Sequence, residues 1–573
     1  MDRVGRKQPK AGRGSADGPC SRIGPEGGSA AGPLQPDRTG GDGAGLPETK
    51  EGGEETMRLT WGEYLDYEDP VWQERKAYLE EIRQRFSKEA AGFDTAELLD
   101  YLEQLEELLR YYTFVRDFQS LEPLMRYYEP LLGILEGRGT DTAGYWYLEM
   151  EYGRVNGLLY LDQGNNRKAA EHFRQTLDRS RHCFACLGRE EGQYSEKQRL
   201  YLAWACAECA NEAAGAYERL LEAGEGYRIL MGILPILEYV ENCGGDTGIT
   251  EKTAELYFRI GSMSYQNGDI RNGETCYGKG ESIYHKLAVT RDSDYYRAKK
   301  LWAQSNHGID AFGHGGDSRV MLTCEREIRQ FLEGDVWGYN RALVMGALAV
   351  VCRQQSVALW QSGDADDALR KSQEGVKLFD GALEILEAES RVQDKSAARN
   401  ALAEISAQLY SSRVAALEVL GIQCYQRDQK EEAGEKLERV LAYLADAGRY
   451  HIPEGPALLL RAESCEYLAL MAAENGDVQR VEFYAAQAME FGERAAKVNG
   501  NPAAWELVVL SAALAAETAD GMRDRQKAGK FAGQGLAACE ELAKLSPDSG
   551  MLDMRRNLEK WKKKADRTGF FRF

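Results

Sequence analysis

The apolar residues of this chain recur every three or four positions. TAELLDYLEQLEELLRYY (95–112), NRKAAEHFRQTLDRSRHCFACL (166–187) and SEKQRLYLAWACAECANEAAGAYERLL (195–221) are three such runs. That spacing lays an apolar stripe along a 3.6-residue helix. Strict apolar–polar alternation, the mark of a half-buried strand, is not apparent, so the pattern predicts an all-α chain of many helices.

One short word separates the helical runs. It reads DQGNNRKAAEHF, QNGDIRNGETCY, HGGDSRVMLTCE, QSGDADDALRKS, QRDQKEEAGEKL and ENGDVQRVEFYA, with its turn at Gly164, Gly268, Gly316, Gly363, Asp428 and Gly476. Asn or Asp follows at five of the six. A glycine just past a helix takes the left-handed conformation at little cost. An Asp or Asn then caps the next helix through an orphan N–H. The word therefore predicts tight helix hairpins. Seven residues before the turn stand Gly157, Gly261, Ile309, Ser356, Gly421 and Ala469. Nine after it come Phe173, Tyr277 and Leu437 in the better copies. A small residue facing a large one lets two helices pack closely.

This small–aromatic–Gly–small–aromatic order resembles the tetratricopeptide repeat, most closely in YFRIGSMSYQNGDIRNGETCYGKG (257–280) and next in LEVLGIQCYQRDQKEEAGEKL (417–437). Three steps between turns are 47 or 48 residues, longer than the family's spacing near 34. The step from 164 to 268 has room for two units, and that from 363 to 428 for one unit with an insertion. The resemblance implies a right-handed superhelical α-solenoid of stacked antiparallel helix pairs. The expected organisation has four parts. Residues 1–56, Gly/Pro-rich and nearly free of large apolar residues, read as a disordered segment. Residues 57–138 read as an N-terminal helical region without a convincing copy of the word. Residues 139–550 form the solenoid, and 551–573 a basic capping helix and tail. The codons of Gly-Glu-Glu ahead of Met57 can also spell a purine-rich ribosome-binding sequence, so Met57 is a candidate translation start.

Charge and composition narrow the function. The 573 residues carry a formal net charge of −20, which disfavours nucleic acid as a partner. The longest apolar run, ALVMGALAVVC (342–352), is too short for a membrane span, so no integral membrane segment is expected. Twelve cysteines scattered through helical text suit a reducing cytoplasm. Cys183, Cys186, Cys206 and Cys209 have zinc-like spacing, C-x2-C, nineteen residues, C-x2-C. On two antiparallel helices turning near 187–195, however, the second pair lies roughly 9 Å beyond the first at ~1.5 Å per residue. Four sulfurs on one zinc each sit about 2.3 Å from it. The expectation is four packing cysteines and no metal. His307, Asp310, His314 and Asp317 gather in NHGIDAFGHGGDS, which reads as a helix end and loop. GHGGDS lacks the Lys-Ser/Thr of a phosphate loop, and no strand–turn–helix elbow presents a nucleophile. No catalytic residue, metal or cofactor is expected.

The resemblance implies a protein or peptide partner held on the first helix of each pair. Three residues before the turns stand Leu161, Tyr265, Gly313, Trp360, Tyr425 and Ala473. Ten before stand Arg154, Phe258, Asn306, Arg353, Glu418 and Glu466. The candidate binding residues are Arg154, Leu161, Tyr265, Arg353, Trp360 and Tyr425, giving a groove with aromatic anchors, Arg at two places and acid towards the C-terminal end. If they line it, Tyr265, Trp360 and Tyr425 are partly exposed. The function expected is a non-enzymatic protein-interaction scaffold. The alternative is a ligand- or peptide-sensing regulator, or the sensor part of a multidomain signalling system.

Overall fold

The computed structural model describes residues 70–163, 165–190, 192, 194–219, 223–244, 247–314, 318–392, 396–446, 452, 454–499, 501–546 and 551–569. The expectations for residues 1–56, for Met57, and for Gly164, Gly316 and Asp317 lie outside them. Among the described residues there are 21 α-helices, one 3-10 turn and no strand.

A single helix, α1 (Pro70–Arg85), precedes the pair α2 (Thr95–Phe114) and α3 (Phe118–Gly137). Next come α4 (Ala143–Asp162) with α5 (Asn166–Arg189), then α6 (Glu196–Arg219) with α7 (Ala223–Gly232) and α8 (Leu234–Cys243). Pro235 near the start of α8 accounts for the broken partner of α6. The long step after residue 164 thus holds two units, as expected. The pairs α9 (Thr247–Gln266) with α10 (Ile270–Arg291) and α11 (Asp294–Gly313) with α12 (Ser318–Glu333) follow. Then α13 (Gly338–Ser362) pairs with α14 (Ala365–Val392), and α15 (Ser396–Gln426) with α16 (Lys430–Ala445). The extra residues of the 65-residue step are extra turns at the end of α14 and the start of α15. The chain continues with α17 (Glu454–Glu474) and α18 (Val478–Asn499), then α19 (Pro502–Gly521) and α20 (Arg525–Leu545), and ends on α21 (Leu552–Gly569).

Seven of the turns share one backbone bond. The N–H of the capping residue reaches back five residues to a carbonyl: Asp117 to Tyr112, Asn165 to Tyr160, Asp269 to Ser264, Asp364 to Leu359, Gln429 to Cys424, Asp477 to Ala472 and Asp524 to Ala519, each at 2.8–2.9 Å. This six-to-one bond closes a helix whose last residue is left-handed. Gly268, Gly363 and Gly476 supply that conformation, with φ of 77°, 91° and 71°. Asp428 supplies it at 61°. Two of the seven are absent from the list of sequence words. Arg116 (φ 55°) and Arg523 (φ 62°) stand where glycine was expected, each followed by a capping Asp. The 57–138 region therefore does contain a copy, α2–α3, and its turn lies 48 residues before that of α4–α5.

Six of the pairs bring together the positions seven before and nine after the turn. A methyl added to Gly157 would meet the Phe173 ring at 2.5 Å, and one on Gly261 the Tyr277 ring at 2.7 Å. Leu437 lies 3.0 Å from the same point on Gly421. Further along, Ala469 sits with Ala485, and Ala516 with Ala532, in shared clusters. In α13–α14 the pair is Ser356 and Ser372, whose hydroxyls are 2.6 Å apart; both also bond the Gln423 amide at 2.7 Å. That closed triangle satisfies every polar atom it buries.

The chain divides into two compact units. One runs to Ala347 and adds Leu386–Ala403; the other takes Leu348–Ile385 and Glu404–Phe573. In the N-terminal unit one continuous core extends from Trp72 to Ala311 and is rich in tyrosine. In the C-terminal unit the core is a series of smaller clusters built largely on alanine, valine and leucine. There Leu558 of α21 is fully buried against Gly535, while Arg555, Arg556, Lys560, Lys562, Lys563 and Lys564 are exposed. The helix caps the last pair with a polar outer face. Phe570, Phe571 and Phe573 lie outside the described residues. Among the described residues one helix, α13, is long and apolar enough to cross a membrane, and 72% of its most apolar window is buried inside the protein.

Candidate functional site

The four clustered cysteines are separately placed. The Cys183 thiol donates to the Ala143 carbonyl at 3.4 Å, and that of Cys206 to Ser180 at 3.2 Å. Cys186 lies 3.7 Å from Asp141 and in contact with Arg189, and Cys209 is fully buried. The sequence estimate put Cys206 a full six residues beyond the level of Cys183. It is in fact level with Ser180, one turn away, and a hydrogen bond with the Cys183 thiol, then burial, hold its thiol well above the usual range. The offset arises because α5 continues to Arg189. The Ser195–Gln198 capping box forms as expected, with the Gln198 N–H bound to the Ser195 hydroxyl and the Ser195 N–H to the Gln198 side chain. Among the described residues no group of three or more His, Cys, Asp or Glu could hold a metal ion.

His307 and Asp310 lie within α11, not in a loop. Burial opposes the His307 cation, but carboxylates of Glu281 (2.8 Å) and Glu274 (3.1 Å) bracket its two ring nitrogens and raise its pKa. Its ring stacks on Tyr277, whose hydroxyl donates to Asp310 at 2.7 Å. This helix-to-helix clasp had no sequence signal beyond the histidine itself.

The six candidate binding residues divide. Tyr265 is a correction: it is 1% exposed. Gly273 has no side chain, so the Tyr265 ring folds down onto α10, meeting Tyr277 and His307 and donating to Glu274. Arg154 is buried as well, with Glu151 at 2.8 Å and Glu212 at 3.0 Å. Its charge is used internally. Leu161 is half-buried against the N-terminal core. Arg353 is buried and its charge acts on Glu418. Trp360 and Tyr425 remain partly exposed, as expected. The Tyr425 hydroxyl donates to Glu474 at 2.9 Å, and its ring meets Tyr467 edge-on at 5.5 Å.

Arg154 belongs to a row of charges on the first helices of the N-terminal unit. Arg110 pairs with Glu106 at 2.8 Å, and the Tyr147 hydroxyl donates to the same carboxylate at 2.9 Å. Lys252 pairs with Glu208 at 3.5 Å, and Lys299 with Glu255 at 3.1 Å. Burial lifts Glu106 and Glu212 to about 7, with Arg110 and Arg154 opposing it. Burial also lifts Glu208, but Lys252 and Arg154 outweigh it, and that carboxyl falls below its ordinary value. Sequence reading missed this row because its members sit at several registers and only Arg154 was among those compared.

In the C-terminal unit the buried bases Arg353 and Arg413 act on Glu418 and Asp380, while a second group of acids is raised by burial. Glu418 on α15 is 4% exposed, and burial followed by the neighbouring Glu463 of α17 drives its pKa far up, Arg353 opposing. Burial raises Glu463 too. Glu466 is lifted to about 8 by burial and by Glu463.

No protein-family model matches the sequence, and no curated protein matches it. Solved structures with similarity include a circular tandem repeat protein with novel repeat topology, at 15% identity over 82% of this chain and 95% of that one, TM-score 0.21. Yeast Tom70 is similar at 11% identity over 74% and 97%, TM-score 0.21. The Cut9-Hcn1 hetero-tetramer of APC/C is similar at 10% identity over 86% and 94%, TM-score 0.24. At those scores the superpositions carry no argument, and the assignment rests on this chain's own turns and packing. Seven equivalent helix turns, six of them with small-to-large or small-to-small packing seven before and nine after, make the chain a helical repeat protein whose turns resemble those of the tetratricopeptide repeat.

Proposed function

We propose that the chain is a non-enzymatic protein-interaction scaffold, cytoplasmic and free of cofactors, whose first helices receive a peptide or helix from a protein partner. The observation that supports this reading is the pair Trp360 and Tyr425. They hold the same register on the first helices α13 and α15 and stay partly exposed, where Tyr265 of that register is core. Aromatic side chains left open on an ordered face are the usual anchors of a protein interface. The large exposed Trp337, 77% accessible, lies at the start of α13 and is a separate feature.

The test is capture of a partner by the full chain, identified by mass spectrometry, then titration against Trp360→Ala and Tyr425→Ala with thermal melts in parallel. Binding weaker by more than ~1 kcal/mol with an unchanged melt is the expected result. A partner that binds both variants as tightly as the parent removes this face from the account.

A further inference from the structure

We propose that His307 is a proton-operated clasp between two successive repeats: as an imidazolium it ties α10 to α11 through Glu274 and Glu281, and when it gives up its proton that joint loosens. This goes beyond the scaffold reading and does not depend on it.

The geometry carries the inference. Nδ1 of His307 lies 2.8 Å from the Glu281 carboxylate, and Nε2 lies 3.1 Å from that of Glu274. A neutral imidazole has one N–H, so it donates to one carboxylate and turns a lone pair on the other. The imidazolium donates to both, and both bonds are charge-assisted. Packing holds the ring in place in either state. It stacks on Tyr277 at 4.6 Å with the planes 8° apart, and the Tyr277 hydroxyl donates to Asp310, three residues along α11. His307 is 7% exposed, so little water reaches the nitrogen that loses its partner.

Several elements surround the ring. Glu274, Tyr277 and Glu281 face it from α10. Tyr265 faces it from α9, and its hydroxyl donates to Glu274. On α11 itself Asp310 bonds Tyr277, and His314 lies beside Tyr265. The helix α12 packs on α11 through Met321 at Gly308 and through buried Cys324, whose thiol donates to the Leu301 carbonyl. Burial opposes the His307 cation, but Glu281 and Glu274 outweigh it, and the ring keeps its proton above the ordinary value of 6.5. A histidine raised in this way contributes stability that is complete below 6.5 and is lost as pH rises through the folded value. The weaker arm goes first. The Glu274 side chain is 51% exposed against 22% for Glu281, and its bond is the longer, so the neutral ring keeps Glu281 while Glu274 turns to solvent. Tyr265 then loses its acceptor, and the loosening reaches α9.

Two readouts on the full chain between about pH 6 and 9 test this. Imidazole nitrogen NMR of histidine-labelled protein shows whether each ring is charged or neutral. The His307 signals, assigned by their loss in His307→Gln, should remain those of an imidazolium at pH values where the histidines of the denaturant-unfolded chain are already neutral. Glu281→Gln should bring the His307 titration down towards the unfolded one. In hydrogen exchange, corrected for the intrinsic rate, α10 and α11 should open about tenfold more often once His307 is neutral, the worth of one charge-assisted hydrogen bond. That pH dependence should vanish in His307→Gln and persist in His285→Gln, which alters an exposed histidine of α10. Should His307→Gln fail to fold, Glu281→Gln both assigns the signal and keeps the test. The proposal is overturned if His307 titrates alike in the folded and unfolded chain, if its proton leaves with no change in the exchange of α10 and α11, or if His307→Gln keeps the parent's pH dependence.

Discussion

The two units solve the same packing problem with different mixtures of residues. In the N-terminal unit, Gly157 and Gly261 face the rings of Phe173 and Tyr277, and the core is one tyrosine-rich body. In the C-terminal unit, Gly421 still faces Leu437, but the later pairs hold Ala469 with Ala485 and Ala516 with Ala532, in smaller separate clusters. The same backbone turn therefore tolerates quite different fillings between its helices. The polar groups diverge more sharply. The N-terminal unit neutralises the acids of its first helices internally, while the C-terminal unit leaves Glu463 and Glu466 with acidic neighbours only.

The largest effects should come from breaking the N-terminal materials. Phe173→Ala removes a fully buried ring from above Gly157 and should cost about 3–5 kcal/mol, measured by denaturant unfolding. Ala485→Gly, at the equivalent position of the C-terminal unit, should cost only about 1 kcal/mol, the helix-propensity difference. Equal losses would show that the repeat position, not its filling, sets the stability.

The charge contrast predicts opposite signs. Arg154→Met strands the carboxylates of Glu151 and Glu212 and should destabilise by about 3–5 kcal/mol. Glu463→Gln removes one of two facing acids and should be neutral or stabilising in the same assay. A clear loss of stability in Glu463→Gln would mean that its proton is a structural hydrogen bond, and the contrast between units would disappear.

How much of this was legible beforehand depended on what each position requires. The hairpins at 268, 363 and 476 announced themselves because glycine is the residue that adopts positive φ freely. The drift of acid towards the C-terminal end was legible in Glu418 and Glu466, since both fall at one register. Tyr265 was misread because register alone cannot see that Gly273 opposes it. The aromatic went down into the space that glycine leaves, whereas in the units of Trp360 and Tyr425 that register holds Ala368 and Ala433. The bracketing of His307 by Glu274 and Glu281 joins two helices and leaves no local pattern.

Acidity should divide the units by a smaller amount. The carboxyls of Glu106 and Glu212 are raised to about 7, and that of Glu466 to about 8. Each then contributes stability that is complete below the ordinary value near 4.5 and is lost as pH rises through the folded value. Melting curves between pH 5 and 8.5 should show Glu466→Gln losing less stability than the parent, with the difference still growing between 7 and 8. For Glu212→Gln the difference should level off near 7. Parallel curves for parent and Glu466→Gln would mean that this carboxyl is ionised in the folded chain.

The smallest effect tests the turns that hid in the sequence. Arg116 and Arg523 hold φ of 55° and 62°, a region in which a Cβ crowds the following carbonyl at a cost of roughly 1–2 kcal/mol. Glycine removes that crowding, but it also gains freedom in the unfolded chain, which takes back about half. Arg523→Gly and Arg116→Gly should therefore each stabilise by about 0.5–1 kcal/mol. At Gly268 and Gly476, already at positive φ, the reverse change to Ala should destabilise by a similar amount. The capping partners Asp117 and Asp524 accept from Ser120 and Lys527 in either case, so the helix starts are unaffected. If Arg→Gly destabilises instead, the arginine stems at those two turns contribute packing that outweighs the strain, and the seven turns are not energetically equivalent despite sharing one backbone bond.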